Sequence, residues 1–217
     1  MKEVKIYKII YYPALLVVIM WLSKLAEFYF DIDFKTFGIF PRKTESLKGI
    51  FFSPFVHGSF KHLISNTIPF FLLSSAVIYF YRKLAYRIIF FSWILTGAAV
   101  WLGGRYSWHI GASGLVYAFA SFLFFAGILN KERRLIAVSL LVIFLYGGLI
   151  WGVFPGEEGI SWESHLFGFL SGFIFAFFYS KDYLSEKVVE NNINPEDFSD
   201  ISSSHKLNIK YFYHEKD

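Results

Sequence analysis

Cysteine is absent from the 217 residues, which excludes disulfides and thiolate chemistry. Charge is also scarce: Asp, Glu, Lys and Arg make up 18% of the chain, against 55% hydrophobic residues. A soluble domain of this length could not hide that much apolar surface. The few basic residues form no patch or stripe, so the net charge of +4 does not mark a nucleic-acid binder. No repeat occurs at solenoid periods, and no inverted repeat of the transporter kind is visible. What remains is a membrane protein rich in aromatics, with 28 Phe, 14 Tyr and 6 Trp.

A helix needs about 20 residues to cross the hydrocarbon core. Six apolar runs approach this: Ile9–Ser23, His62–Tyr81, Ile88–Gly104, Ile110–Leu129, Leu135–Phe154 and Ser164–Ser180. The first and last are short, but Lys8, Lys24 and Lys181 can extend their ammonium groups to the interface. No small-x-small cleavage site follows the first run, so it is expected to be retained. Lys2, Lys5 and Lys8, then Arg82, Lys83 and Arg87, then Lys131, Arg133 and Arg134 occupy alternate ends of the runs. The positive-inside rule then places both termini in the cytoplasm. The expected organisation is a six-helix transmembrane domain over residues 1–181 and a polar, loosely ordered cytoplasmic tail over 182–217. The expected setting is a multi-pass protein of a bacterial inner membrane.

Polar groups at membrane depth are costly and therefore point to function. His62 and Asn66 open the second run, Ser113 the fourth and His165 the sixth. Six crossings from an inside start put these three openings at one membrane level. Ser113 lies in Gly111-Ala112-Ser113-Gly114, where glycine allows a sharp bend at a helix start and leaves a hydroxyl accessible. A hydroxyl needs a base, and His165 is the span-opening histidine outside the His57/His62 pair, which gives a Ser113/His165 dyad. The Ser113 backbone N–H, the Asn66 amide and the His62 ring can supply oxyanion donors. Tyr117 lies one turn below Ser113, placed to pack under the His165 imidazole. Gly168 and Gly172 face Gly114, Ala118 and Ser121 at small-xxx-small spacing, which predicts close approach of the two helices.

Three strings, His57-Gly-Ser-Phe-Lys-His62-Leu-Ile-Ser-Asn66, Gly111-Ala-Ser113-Gly-Leu-Val-Tyr117 and Ser164-His165-Leu-Phe-Gly168-Phe-Leu-Ser-Gly172, resemble the signature motifs of the rhomboid protease family. The resemblance implies an all-α, six-transmembrane-helix bundle with its site sunk below the outer membrane surface. It implies Ser113 as nucleophile and His165 as base. It implies His62, Asn66 and the Ser113 amide as oxyanion hole, Tyr117 stacked on the base, and His57 as a hydrogen-bonding structural residue. Two positions depart from the family pattern: Leu47-Lys48-Gly49 stands where many members carry a Trp-Arg pair, and Ser164 precedes the base where Ala is frequent.

Rival chemistries are poorly supported. His57 and His62, five apart on one helix, would differ by roughly 140° in direction and could not readily share a metal ion. No His-Glu-x-x-His string exists, and every Asp lies outside the apolar runs, which argues against zinc and aspartyl intramembrane proteases. Glu163 reads as an exposed acid at a helix N-terminus and His109 as an interfacial loop residue. The expected activity is cofactor-free, metal-free peptide hydrolysis, with membrane lipid and transmembrane protein substrates as partners. Lateral entry is expected by movement of the fifth helix and a cap around Phe154–Gly159, containing Pro155, Gly156 and Gly159. The alternatives from other classes are a catalytically dead client-binding relative and a small transporter.

Overall fold

The computed structural model describes residues 6–146, 151–154 and 161–192. It contains α1 (Ile6–Phe30), α2 (Gly49–Phe52), α3 (Phe60–Phe80), α4 (Ala85–Gly103), α5 (Ser113–Leu129), α6 (Arg133–Leu145) and α7 (Trp162–Asn192), with short 3₁₀ turns between. Among the described residues there is no strand, only one antiparallel bridge between Ile39 and His109. Among the described residues, three helices are long and apolar enough to cross a membrane: Ile9–Phe30 in α1, Phe60–Phe80 and Ala85–Gly103.

α5 is the centre of the bundle. Every residue from Gly114 to Leu123 is buried, as expected of a helix that is apolar all round. It lies along α7, with α3, α4 and α6 also against it. Small residues permit the α5–α7 approach. A Cβ on Gly168 would stand 2.0 Å from the Gly114 carbonyl oxygen, and one on Gly172 would stand 2.0 Å from that of Ala118. Ser121 closes the seam by donating to the Phe169 carbonyl at 2.8 Å. Leu63, Phe70, Leu73 and Val77 of α3 meet Phe119, Phe122 and Leu123 of α5 in the apolar core. Two indole groups in the helices find partners, as low-dielectric packing favours: Trp21 Nε1 donates to Thr67 Oγ1 at 3.1 Å and Trp93 Nε1 to the Ile50 carbonyl at 2.8 Å.

Several boundaries differ from those expected. The first helix extends to Phe30, because Lys24 pairs with Glu27 one turn on and its charge does not end the helix. The run Leu135–Phe154 does not form one helix. α6 stops after 13 residues, about 20 Å, where Tyr146 (φ −112°, ψ 44°) leaves the helical region, and Trp151–Val153 form a separate 3₁₀ turn. α7 continues past the expected boundary at residue 181 to Asn192. The remainder of the expected tail, 193–217, lies outside the described residues, as do Pro155, Gly156 and Gly159 of the expected cap.

The long segment between α1 and α3 is docked on α4 and on the loop that leads to Ser113. Ile39 and His109 exchange backbone hydrogen bonds of 2.9 and 2.8 Å. The Arg42 guanidinium donates to the carbonyls of Leu102 (3.2 Å) and Gly104 (3.0 Å) while lying 4.2 Å from the centre of the Tyr106 ring. Trp101 Nε1 donates to the Lys43 carbonyl at 2.9 Å. The segment is therefore anchored without the Trp-Arg pair.

Candidate active site

Three helix starts converge at one end of the bundle. α3 begins where Ser59, in extended conformation, accepts the His62 N–H through its hydroxyl at 3.1 Å, an N-cap interaction. α5 begins after Gly111, whose φ of +98° favours glycine over every L residue. The Gly111 N–H donates to the Ser53 carbonyl at 2.9 Å, which ties the bend to the segment before α3. α7 begins at Trp162, with Ser161 Oγ accepting the Ser164 N–H at 3.3 Å.

These starts bring Ser113 and His165 together across 52 residues, with Ser113 Oγ 2.8 Å from His165 Nε2. The other ring nitrogen, Nδ1, lies 2.8 Å from the Gly152 carbonyl oxygen. A carbonyl only accepts, so the proton resides on Nδ1, and Nε2 presents its lone pair to the Ser113 hydroxyl. That is the tautomer a general base requires. The Tyr117 ring stacks on the imidazole with centroids 4.3 Å apart and planes inclined by 15°. Gly152 is confined as well: a Cβ there would stand 2.9 Å from His165 Nδ1 and collide with the Tyr117 hydroxyl. His165 is 8% exposed and Tyr117 6% exposed, so little water competes for the ring.

His62 lies against the bend. A Cβ on Gly111 would meet its Cε1 at 2.6 Å and its Nε2 at 2.7 Å. Gly111→Ala is therefore expected to displace the His62 ring, and a displacement of about 1 Å lowers turnover on the order of 10²-fold. Initial cleavage rates of the folded variant test this, and wild-type turnover would remove His62 from the site. Asn66 is buried one helical turn further along α3, and its amide nitrogen donates to the His62 carbonyl at 2.9 Å. An amide carries two N–H groups, so this bond leaves a second donor.

Other expectations about this region require correction. His57 does not share a helix with His62, because it precedes α3, so the helical-angle argument against a shared metal does not apply. The two rings meet edge to face with centroids 5.1 Å apart. Among the described residues, no three His, Asp or Glu side chains gather as a metal site would need. The Phe55 backbone lies near His57 without reaching hydrogen-bonding geometry, so neither ring nitrogen has a partner. Burial pushes the His57 pKa down to about 3, so the ring is neutral at neutral pH. Glu163 is not exposed. It is 3% accessible, and its Oε1 lies 3.3 Å from Arg105 Nε. His109 is 1% accessible rather than interfacial. The orienting partner of His165 is a backbone carbonyl in the turn after α6, which no side-chain pattern reveals.

A cavity of about 590 Å³ adjoins this end of the bundle, lined in part by Gly58, Ile110, Trp108, Arg105 and Ser161. Ile110 precedes the bend at Gly111, and Ser161 caps the helix that carries His165, so the space borders the elements on both sides of the Ser113–His165 pair.

The Rhomboid domain family model matches residues 44–182, more than half of the chain. Uncharacterized proteins of Mycobacterium tuberculosis and Mycobacterium bovis are each 34% identical over 186 residues, covering 79% of this chain and 74% of theirs. One of Mycobacterium leprae is 33% identical over 181 residues, covering 79% of this chain and 70% of its own.

Proposed function

Because this chain belongs to the rhomboid family of intramembrane proteases, we propose that it is a serine endopeptidase that hydrolyses peptide bonds in or near transmembrane helices of membrane-protein substrates. The observation that carries this reading is the 2.8 Å approach of Ser113 Oγ to His165 Nε2, with the imidazole held in its basic tautomer by Gly152. We read α1 and α3 to α7 as six crossings, with both termini on the cytoplasmic side of a bacterial inner membrane. α5 and α6 fall short of a full hydrocarbon thickness; α5 is enclosed by its neighbours, and α6, on the outside of the bundle, suits a locally thinned bilayer.

Catalysis follows from the geometry. The Ser113 oxygen attacks the scissile carbonyl carbon as its proton passes to His165 Nε2. The imidazolium retains its Nδ1–H bond to the Gly152 carbonyl and lies over the Tyr117 ring, whose π face favours the developing positive charge. The tetrahedral oxyanion forms beside the positive end of α5, where the Ser113 N–H, the His62 ring and the free Asn66 N–H are the donors. Collapse expels the amine, which takes the proton from His165, and leaves an acyl ester on Ser113. Water then attacks the ester, giving a proton to the same nitrogen; collapse of this second tetrahedral species breaks the bond to Ser113 Oγ, which takes the proton back from His165, and the acid product departs and ionises. No metal or cofactor enters any step.

A peptide bond within a transmembrane helix has its carbonyl already hydrogen-bonded, so the substrate helix must unwind locally before attack. Residues that weaken a helix near the scissile bond are thus favoured. Asn66→Ala is expected to lower kcat by about 10²–10³-fold, as loss of one oxyanion donor does, while leaving the thermal midpoint near wild type. Unchanged kcat would remove Asn66 from the oxyanion hole. The reading as a whole is tested by reconstituting the protein with a single-span reporter substrate and locating the cut by mass spectrometry. A cut at the reporter's membrane segment that disappears with Ser113→Ala supports it, and a reporter left intact by a folded wild type refutes it.

A further inference from the structure

Between the loop carrying the bend and the first turn of α7 lies a second polar cluster that the proposed reaction does not use. His109 Nε2 lies 3.1 Å from the Arg105 carbonyl oxygen, and its Nδ1 is in hydrogen-bond contact with Ser161 Oγ. Ser161 Oγ is in turn 2.6 Å from Ser164 Oγ. The hydrogens of this chain can be placed by elimination. The Arg105 carbonyl can only accept, so His109 Nε2 carries the proton and Nδ1 accepts. Ser161 therefore donates its hydroxyl hydrogen to His109, and its oxygen accepts from the Ser164 hydroxyl and from the Ser164 N–H at 3.3 Å. The result is one directed chain, Ser164 to Ser161 to His109 to the Arg105 carbonyl, with each group used in one sense.

The chain is built in. His109 is 1% exposed, its backbone is paired with Ile39, and Gly104 leaves it room, since a Cβ there would stand 2.9 Å from His109 Nε2. Burial lowers the His109 pKa below the ordinary histidine range, which keeps the ring in the neutral form that the chain requires. Beside it, Glu163 Oε1 accepts from the Arg105 backbone N–H at 3.4 Å and lies 3.3 Å from Arg105 Nε, a second tie between the same two segments. His109 is four residues before Ser113, and Ser164 is one residue before His165. The Ser164 carbonyl would stand 3.1 Å from a Cβ on Gly114, so this stretch of α7 rests directly on the start of α5.

We propose that His109 is a positioning residue of the protease: through Ser161 and Ser164 it fixes the loop that delivers Ser113 against the helix turn that delivers His165. The proposal rests on the serine-protease reading above. A 2.8 Å contact between groups on two elements requires those elements to hold their relative place to within a fraction of an ångström, and the chain ties the two elements together through bonds separate from those of Gly152 and Tyr117.

The test uses the full-length protein in detergent with a transmembrane reporter. His109→Phe, Ser161→Ala, the double variant and His109→Gln are compared with Leu73→Ala, a core truncation in α3 that lowers stability without touching the chain. Expected are a roughly tenfold fall in kcat with KM unchanged for each of the first two, no further fall in the double variant, and recovery of most of the activity in His109→Gln, whose amide both donates and accepts. Leu73→Ala should lower the thermal midpoint and keep its kcat below that midpoint. A fall in midpoint without a fall in kcat for His109→Phe, or additive losses in the double variant, would overturn the positioning role. An activity-independent arm uses ¹⁵N-histidine NMR on the Ser113→Ala protein, where His109 is expected as the Nε2–H tautomer and the Nδ1–H tautomer would refute the chain. The expected tautomer in the Ser113→Ala protein, together with a folded wild type that cleaves nothing, would sink the protease reading and leave the chain standing as structure.

Discussion

Gly168→Val is expected to lower the thermal midpoint in detergent by roughly 10 °C, corresponding to about 3 kcal/mol of lost stability. A Cβ at this position would stand 2.0 Å from the Gly114 carbonyl oxygen, and the obstructing atom is backbone. No rotamer change relieves such a contact, so α5 and α7 must separate, and the loss extends to the Ser121–Phe169 bond and to apolar packing along the seam. Gly172→Val should behave alike, since its Cβ would stand 2.0 Å from the Ala118 carbonyl. Gly58→Ala is the matched control: its Cβ would meet only the Ile110 Cδ1 at 3.7 Å, an ordinary van der Waals distance, and the midpoint should not move. Thermal melts of the three variants decide the matter. An unchanged midpoint for Gly168→Val would mean that the helices do not approach as closely as described.

Ser113→Ala and His165→Ala are expected to lower turnover by a factor on the order of 10⁴ or more, while both proteins remain folded. The two losses should not add. Once the serine is gone the imidazole has no proton to accept, and once the imidazole is gone the hydroxyl stays a weak nucleophile. Ser113 and His165 lie at helix starts whose backbone is fixed by Gly111, Gly114 and the Ser161 cap, so removing either side chain leaves the scaffold intact. Cleavage of a reporter by the single and double variants measures the coupling. Independent, multiplying losses would show that the pair does not work as a unit.

Much of the site was legible because the membrane makes polar residues conspicuous. Ser113, His165, His62 and Asn66 stood out at the starts of apolar runs, and counting crossings placed them at one level before any fold was considered. The glycine stripe was also readable, because the demand for small residues at a helix seam is a demand on side-chain identity. Three features were not readable, each for a physical reason. The partner of His165 Nδ1 is the Gly152 carbonyl, and a backbone acceptor is common to all twenty residue types, so only the early end of α6 at Tyr146 exposes its role. Glu163 and His109 looked like surface groups because burial of an ionisable side chain depends on a partner distant in sequence. Glu163 meets Arg105 and His109 meets Ser161, across 58 and 52 residues respectively. The hydrophobic run Leu135–Phe154 reads as one helix because apolar content measures affinity for the bilayer, whereas the break at Tyr146 is a matter of backbone geometry.

The most direct test of the central claim is covalent labelling of the detergent-purified protein with a fluorophosphonate probe. Such a probe forms a bond with an activated serine and ignores an ordinary hydroxyl. Wild type is expected to label at Ser113, with labelling abolished in both Ser113→Ala and His165→Ala, because the contact between Ser113 Oγ and His165 Nε2 is what makes the hydroxyl reactive. A folded wild type that does not label, and that leaves a transmembrane reporter intact, would contradict the account and indicate a rhomboid that binds membrane clients without cutting them.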